Sequence, residues 1–214
     1  MLLRPDQREK LDPADDSDFY SLPRFVTHVD GAFLDRLTQL YRERLRPQTR
    51  ILDLMSSWVS HLPEDLTFAH VEGQGLNAAE LAKNPRLDHY RVQNLNIQPQ
   101  LPYPDHDFDA VLNCVSVQYL QYPEAVFSEI ARVLKPGGLL IVSFSNRMFY
   151  QKAIAAWRDS SETGRVALVK RYIDSTPGFG SPEIITVPGG LPNLFQLLGF
   201  GGADPFYAVI ASRQ

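Results

Sequence analysis

The feature that most constrains the fold is a pair of short apolar runs with a helical segment between them. The runs cover residues 108–115 and 139–144. Between them, Val126, Ile130 and Val133 recur at spacings of four and three residues, which places them on one face of a helix. Strands that are apolar throughout are usually covered on both faces, as in a parallel sheet. The stretch therefore predicts a strand–helix–strand unit of a parallel sheet.

The rest of the chain continues this alternation of strands and helices. Pro123 suits the first turn of the central helix, and Pro136-Gly137-Gly138 is expected to end it. We predict further strands at 51–54, 67–72, 90–93, 183–187 and 207–211. We predict further helices at 19–45, 55–62, 78–83, 150–158, 166–173 and 191–198. This order indicates an open, doubly wound α/β sheet with right-handed crossovers.

The composition predicts one domain with a loosely attached N-terminal segment. Residues 1–18 are polar and contain two prolines, which favours a flexible N-terminal segment. We interpret residues 19–214 as a single domain. Its parts are a helical arm at 19–47, a core at 50–145, and C-terminal helices with a final strand pair at 146–214.

The charge and cysteine content narrow the function classes. The chain has 214 residues, 44% of them hydrophobic and 21% charged, with a formal net charge of −4. A nucleic-acid partner would require a basic surface, and no apolar run is long enough to span a membrane. Cys114 lies inside an apolar run, which favours a free thiol in a reducing compartment. We expect a cytoplasmic protein that acts on a small molecule; the oligomeric state is left open.

Two sequence motifs resemble a known family. The motifs are Phe108-Asp109-Ala110-Val111 and the run Glu-Ile-Ala-Arg-Val-Leu-Lys-Pro-Gly-Gly-Leu at 129–139. Together they resemble the late core of class I S-adenosylmethionine-dependent methyltransferases, with the methyltransferase type 11 group as the closest branch. The resemblance implies a mostly parallel, seven-stranded, Rossmann-like sheet with a helical N-terminal arm over the cofactor site. It implies S-adenosyl-L-methionine as cofactor and S-adenosyl-L-homocysteine as product.

The resemblance also implies a cofactor loop after the first strand. The family places an acid there, followed by glycines at alternate positions. Asp53 matches the acid, while Met55, Ser57 and Val59 stand where the glycines are expected. Either the cofactor shifts, or the loop widens, or nothing binds. Serines 56, 57 and 60 would offer hydroxyl and N–H groups at a helix N-terminus, a favourable place for a carboxylate.

The remaining cofactor contacts follow the next strands. Gly75 stands where the family has an acid for the ribose hydroxyls, so Glu72 or Asn77 would have to substitute. Asn94 would bind adenine through its amide, although an asparagine here also suits a simple turn. The complete set of predicted cofactor-binding residues is Asp53, Met55, Ser56, Ser57, Gly73, Gly75, Asn77, Asn94, Leu95 and Asn113.

The methyl acceptor is expected beyond the fourth strand and beneath the arm. A base is needed only if the accepting atom starts protonated, and the candidate catalytic residues are His28, His61 and Tyr119. An isolated histidine is more often a structural residue, and Tyr119 is more often core. The candidate substrate residues are Tyr20, Arg24, Ser116, Asn146 and Arg147.

Other functions are less well supported by the sequence. The run Gly73-Gln74-Gly75-Leu76-Asn77-Ala78 fits a dinucleotide-binding pattern, but no acid follows about twenty residues later. Cysteine pairs and histidine motifs typical of metal sites are missing, so we expect no metal. A methyltransferase fold that has lost activity and serves as a binding or scaffolding module is the main alternative to an active enzyme.

Overall fold

The computed structural model describes residues 2–190 and 203–214, which form a seven-stranded sheet. The sheet order is β3-β2-β1-β4-β5-β7-β6, and β7 runs antiparallel to both of its neighbours. The remaining neighbours in the order are parallel. The strands are β1 (Arg50–Leu54), β2 (His70–Gly75), β3 (His89–Val92), β4 (Phe108–Cys114), β5 (Leu134–Phe144), β6 (Glu183–Val187) and β7 (Phe206–Ser212). The predicted mostly parallel, doubly wound sheet is confirmed.

Helices cover both faces of this sheet. They are α1 (Asp16–Phe19), α2 (Gly31–Arg44), α3 (Ala78–Leu81), α4 (Pro123–Val133), α5 (Ala155–Arg158) and α6 (Glu162–Asp174). Val126, Ile130 and Val133 of α4 are buried in one hydrophobic cluster, as their spacing predicts. Phe33 and Leu37 of α2 are fully buried in a second cluster. In the described ranges, no helix is long and apolar enough to cross a membrane. The helix predicted at 191–198 lies outside the described residues.

The helix predicted at 55–62 is absent, and the second strand starts three residues later than predicted. Residues 55–69 are irregular. The hydroxyls of Ser56 and Ser60 both donate to Asp53 Oδ2, at 2.5 and 2.6 Å. Met55 and His61 have left-handed backbone, with φ of 58° and 53°. Serine and aspartate side chains that bond within a turn compete with the helix, which explains the difference.

Three other predicted helices are shorter in the structure, and one of them is α3, which ends at Leu81 instead of residue 83. Within the arm, residues 20–30 are irregular, and α2 begins only where Asp30 Oδ1 accepts a hydrogen bond from Phe33 N at 2.8 Å. An N-cap of this kind sets a helix start more firmly than apolar spacing does. In the predicted helix 150–158 only α5 is helical, because Ile154 N donates to Gln118 O in another part of the fold.

Residues 2–18 pack against the domain, although their composition predicts a flexible segment. Leu3 is fully buried in the hydrophobic cluster that includes α4. Arg8 forms an ion pair with Glu124 at the start of α4. The fully buried Lys152 lies 3.0 Å from Asp12 Oδ2 and donates to Ala14 O at 2.7 Å. The overall polarity of a segment does not reveal such contacts. A few buried or ion-paired side chains are enough to hold the segment against the domain.

Candidate functional site

A cavity of about 300 Å³ lies at the carboxyl ends of the parallel strands, beneath the arm. Ligands of doubly wound sheets bind at this edge, where the strand order reverses. Here β1 and β4 are adjacent, and the chain leaves them in opposite directions across the sheet. We call the part formed by residues 53–61, 74–80 and 93–96 the β1–β3 side. The part formed by residues 114–120 and 147–149, with the arm above it, is the β4–β5 side.

Hydrogen bonds hold the loop after β1 in place on the β1–β3 side. Asp53 is buried and accepts from two serine hydroxyls, as described above. Burial raises the pKa of Asp53 to about 6, against the opposing effect of these hydrogen bonds. Gln74 accepts from Met55 N at 3.1 Å and donates to Gln93 O at 2.7 Å. The loop is thereby connected to the ends of both β2 and β3.

Backbone strain is concentrated around the cavity. Met55, His61 and Val115 line it and have positive φ angles of 58°, 53° and 49°. Positive φ is rare for side-chain-bearing residues and is a genuine outlier for a branched residue such as valine. Strain of this kind is typically found at functional sites. Met55 therefore adopts the left-handed conformation that glycine favours, and its side chain packs against the core cluster.

Gly75, at the end of β2, is required by the close approach of the β1 loop. A Cβ at this position would lie 2.4 Å from the backbone oxygen of Ser56. Gly73, two residues earlier, has a different role, because its Cβ would meet the side chain of Leu87 at 2.4 Å. Gly73 is therefore a packing residue outside the cavity, while Gly75 lines it.

Glu80 of α3 is a site residue that the sequence analysis did not identify. It is buried and lines the cavity. Its carboxylate accepts from Arg24 N and from Ser57 Oγ, both at 2.6 Å. It is the third helical residue after the N-cap Asn77, where an acid is frequent in capping motifs. An acid at that spacing directly after a strand was the signal that could have indicated it.

The other candidates for a ribose or adenine contact have protein partners. Asn77 accepts from Ala79 N and Glu80 N and donates to Tyr20 O. Asn94 accepts from Asn96 N, which makes it the residue that starts a turn. Glu72 does not line the cavity. Its partners are His70, His89 and Tyr103.

Aromatic rings dominate the β4–β5 side. Phe149 packs edge-on against Phe19 and Tyr20, with ring centroids 5.2 and 6.1 Å apart. The ring centroids of Tyr119 and Tyr20 lie 6.5 Å apart, and the Tyr119 hydroxyl oxygen accepts a hydrogen bond from Phe149 N at 2.8 Å. The guanidinium of Arg24 lies 4.6, 5.6 and 5.4 Å from the ring centres of Phe19, Tyr20 and Phe149. Lys152 Nζ also lies 5.4 Å from the ring centre of Phe19, so the result is an apolar chamber with two cations against its rings.

Three buried polar atoms of cavity-lining residues have no hydrogen-bond partner in the described structure. They are Asp16 Oδ1, Arg24 Nη1 and Ser116 Oγ. An unpartnered buried polar group costs roughly 1–3 kcal/mol, and more when it is charged. A ligand that supplied partners for these atoms would recover that cost.

The protonation states favour neutral side chains around the cavity. Burial raises the pKa of Tyr119 to about 12 and moves the pKa of Tyr20 upward as well. Burial lowers the pKa of His61 to about 4 and also lowers the pKa of His28. At neutral pH the two tyrosines are therefore hydrogen-bonding phenols, and the two histidines are uncharged and able to accept a proton.

The structure brings most of the predicted site residues to this one cavity. Three of them lie elsewhere: Gly73 as described, Asn113, and Asn146. Asn113 is buried in β4 and donates to Leu54 O at 3.3 Å, while Asn146 is exposed. The predicted residues that line the cavity are Tyr20, Arg24, His28, Asp53, Met55, Ser56, Ser57, His61, Gly75, Asn77, Asn94, Leu95, Ser116, Tyr119 and Arg147.

Comparison with known proteins identifies the domain. Residues 54–142 match a family described as a methyltransferase domain. Over these residues the chain is similar to class I S-adenosylmethionine-dependent methyltransferases. A probable S-adenosylmethionine-dependent methyltransferase of Mycolicibacterium smegmatis is 33% identical over 87 residues, which are 41% of this chain and 29% of the relative. The biotin biosynthesis bifunctional protein BioHC of Teredinibacter turnerae is 28% identical over 138 residues, 64% of this chain and 21% of the relative. The chain thus spans less than a third of either relative.

Solved structures share the fold of this chain. A methyltransferase from Mesorhizobium loti superposes with a TM-score of 0.52 at 18% identity, covering 84% of this chain and 100% of that one. Phosphoethanolamine N-methyltransferase 2 of Haemonchus contortus superposes with a TM-score of 0.54 at 16% identity, covering 84% of this chain and 52% of that one. The [4+2]-cyclase SpnF superposes with a TM-score of 0.54 at 18% identity, covering 84% of this chain and 80% of that one. The name of the last protein shows that the fold alone does not fix the reaction.

The residues at the strand ends fit S-adenosylmethionine. Leu76, Leu95 and Leu120 line the cavity and offer an apolar surface for adenine. Gly75 leaves bare backbone beside them. The unpartnered Ser116 Oγ offers a hydrogen-bonding position for a polar ligand, whereas Asp16 Oδ1 faces Lys152 Nζ at 3.7 Å. Met55 keeps the left-handed backbone expected of the missing glycine, so the substitution has not closed the cavity.

Proposed function

We propose that this protein transfers a methyl group from S-adenosylmethionine to a small molecule in the cytoplasm. The observation that supports this most strongly is the cavity itself. It lies at the ligand-binding edge of a methyltransferase domain, is covered by the arm and contains unpartnered buried polar atoms. A volume near 300 Å³ suits small molecules rather than a polymer.

The β1–β3 side would hold the cofactor. Leucines 76, 95 and 120 would contact the adenine, and the loop from Met55 to Ser57 would pass beside the rest of the molecule. When bound, S-adenosylmethionine supplies an electrophilic methyl group for in-line displacement. The protein residues hold this loop rigidly through Asp53 and Gln74, which is how binding sites of high precision are built.

The β4–β5 side would position the acceptor. Tyr20, Tyr119 and Phe149 form apolar walls that exclude water from it, and orientation in such a chamber accounts for much of the rate of a group transfer. Its hydrogen-bonding groups are Ser116 Oγ and the uncharged ring of His28. A proton leaving the acceptor would pass to His28 or His61, because both rings are neutral at pH 7, whereas the tyrosines keep their protons.

Calorimetric titration with S-adenosylmethionine and S-adenosylhomocysteine tests the proposal. We expect both to bind the wild type. Asp53→Ala should weaken binding at least about tenfold, because Ser56 and Ser60 lose their shared acceptor and the loop loosens. Asp65→Ala is the matched control, since this acid belongs to the same irregular segment but is exposed and pairs with Arg42.

Two results would contradict the proposal. If neither ligand produces heat or raises the thermal midpoint of the wild type, the domain does not use this cofactor. If Asp53→Ala binds as tightly as Asp65→Ala, the loop after β1 is not part of the binding site. Methyl transfer itself is then measured by incubating the protein with labelled cofactor and a metabolite mixture and following label into small molecules.

A further inference from the structure

The guanidinium of Arg24 has an unusual environment for a charged group. It stacks against three aromatic rings of the β4–β5 side, as described above. Its Nη2 donates to Phe19 O at 2.9 Å, but its Nη1 is buried and has no partner. Among the described residues no carboxylate lies within salt-bridge distance of it. Arg24 as a whole is half-buried, but a guanidinium N–H group that is shielded from water and has no acceptor is costly for the fold.

Nearby acids do not neutralise Arg24. Glu80 accepts from the backbone N–H of Arg24 and from Ser57. Asp16 receives Lys10 Nζ at 2.6 Å and also contacts the buried Lys152, at 3.7 Å. These two acids are therefore occupied by partners other than the guanidinium.

The charged residues of the cavity differ in whether they have a partner of opposite charge or a hydrogen-bond donor. All three of its carboxylates have protein partners: Asp16 pairs with Lys10, Asp53 accepts from Ser56, and Glu80 accepts from Ser57 and from Arg24 N. The charged side chains that line the β4–β5 side are Arg24 and Arg147. Arg147 is exposed and donates to Asp204 at 2.8 Å. Arg24 is thus the cation of that side that lacks an acidic partner.

We infer that the methyl acceptor is an anion with an apolar body. Its negative group binds the Arg24 guanidinium through Nη1, and its body lies among the rings of Tyr20, Tyr119 and Phe149. Arginine suits this task because its planar group binds carboxylate or phosphate oxygens while stacking on aromatic rings. This inference rests on the proposed methyl-transfer function and names the substrate class for it.

Phenylacetate and phenylacetamide form the probe pair for the test, because they differ in charge and hardly in shape. Their affinities are measured by ligand-observed NMR, with and without saturating S-adenosylhomocysteine. We expect the wild type to bind phenylacetate at least about tenfold more tightly than the amide, a difference of about 1.4 kcal/mol. This comparison needs no variant.

Arginine variants then assign the preference to one residue. Arg24→Met keeps the stem and removes the charge, so the preference should fall below twofold, while Arg24→Lys should retain part of it. The matched control is Arg42→Met, because Arg42 is on α2 and pairs with Asp65 outside the cavity. Circular dichroism confirms that each variant is folded.

The negative group could instead be the methionine carboxylate of the cofactor. Binding of S-adenosylhomocysteine and of methylthioadenosine, which lacks that carboxylate, separates the two sources. The inference is overturned if Arg24→Met weakens only S-adenosylhomocysteine. Equal binding of acid and amide by the wild type, or a preference that survives in Arg24→Met, also overturns it. Failure of both nucleosides to bind the wild type would refute the proposed function, whatever the probe pair shows.

Discussion

The two sides of the cavity use their polar groups in different ways. On the β1–β3 side, Asp53, Gln74, Asn77 and Glu80 all bond to neighbouring protein atoms. Several of these bonds hold the arm, such as Asn77 Nδ2 to Tyr20 O at 2.8 Å. On the β4–β5 side the rings pack closely, but buried polar atoms lack partners.

This difference indicates a division of labour within the site. The β1–β3 side is preorganised, because its polar groups already occupy fixed hydrogen-bonded positions. The β4–β5 side is incomplete until a ligand supplies partners for its polar atoms. Groups that are already held in place bind one fixed ligand with little loss of conformational entropy. Buried polar groups without a partner discriminate among ligands, because a ligand that cannot hydrogen-bond to them leaves them unpaired. The first suits a constant cofactor, and the second suits a discriminated acceptor.

The largest effect is expected from Gly75→Ala. The added Cβ would lie 2.4 Å from Ser56 O, so the β1 loop must move. We expect S-adenosylhomocysteine affinity to fall about a hundredfold, roughly 3 kcal/mol, in calorimetry. Gly31→Ala is the control, because nothing lies within 4 Å of its Cβ. Unchanged affinity in Gly75→Ala would show that the β1–β3 side is not rigid.

Asp53→Asn should change how stability depends on pH. Burial raises the pKa of Asp53 from 3.8 to about 6, so the folded state binds its proton more tightly. The stability that this residue contributes is present below about pH 4 and is lost as pH rises through 6. Relative to Asp53→Asn, the wild type should lose about 2–3 kcal/mol of unfolding free energy between pH 4 and 7, measured by urea denaturation. If the unfolding free energies of the wild type and of Asp53→Asn depended on pH in the same way, the buried position of this carboxyl would be contradicted.

His61→Gln should change the pH dependence of stability over the same range, but with the opposite sign. Burial lowers the pKa of His61 from 6.5 to about 4, so its contribution is present above 6.5 and is lost as pH falls. Relative to His61→Gln, the wild type should gain about 1–2 kcal/mol between pH 4 and 7, since the ring is only partly shielded. A difference that does not vary with pH would mean that the ring is exposed to water.

The smallest effect is expected from Ser116→Ala on the β4–β5 side. Its unpartnered hydroxyl is available to the acceptor, so probe affinity should fall a few-fold, about 1 kcal/mol or less. Affinity for S-adenosylhomocysteine should stay within about twofold. Ser143→Ala is the control, because its hydroxyl is also buried but does not line the cavity. A larger loss for S-adenosylhomocysteine than for the probe would remove the distinction between the two sides.

The sequence alone determined the architecture and the position of the site. Apolar runs that form β4 and β5, with Val126, Ile130 and Val133 between them, encode a parallel unit through local periodicity. Once the strands are ordered, the ligand edge follows from topology. Asn77 as the N-cap of α3 was also predictable, because capping depends on residues close in sequence.

Only the tertiary structure decided what each polar group binds. Glu80 reaches Arg24 across a sequence separation of 56 residues, and Lys152 holds residues 12–14 across about 140. The loop after β1 forms no helix, because Asp53, Ser56 and Ser60 bond to one another once Asp53 is buried. Burial and distant partners arise only when the chain is folded, so a local pattern names the residues at the site but leaves their partners open.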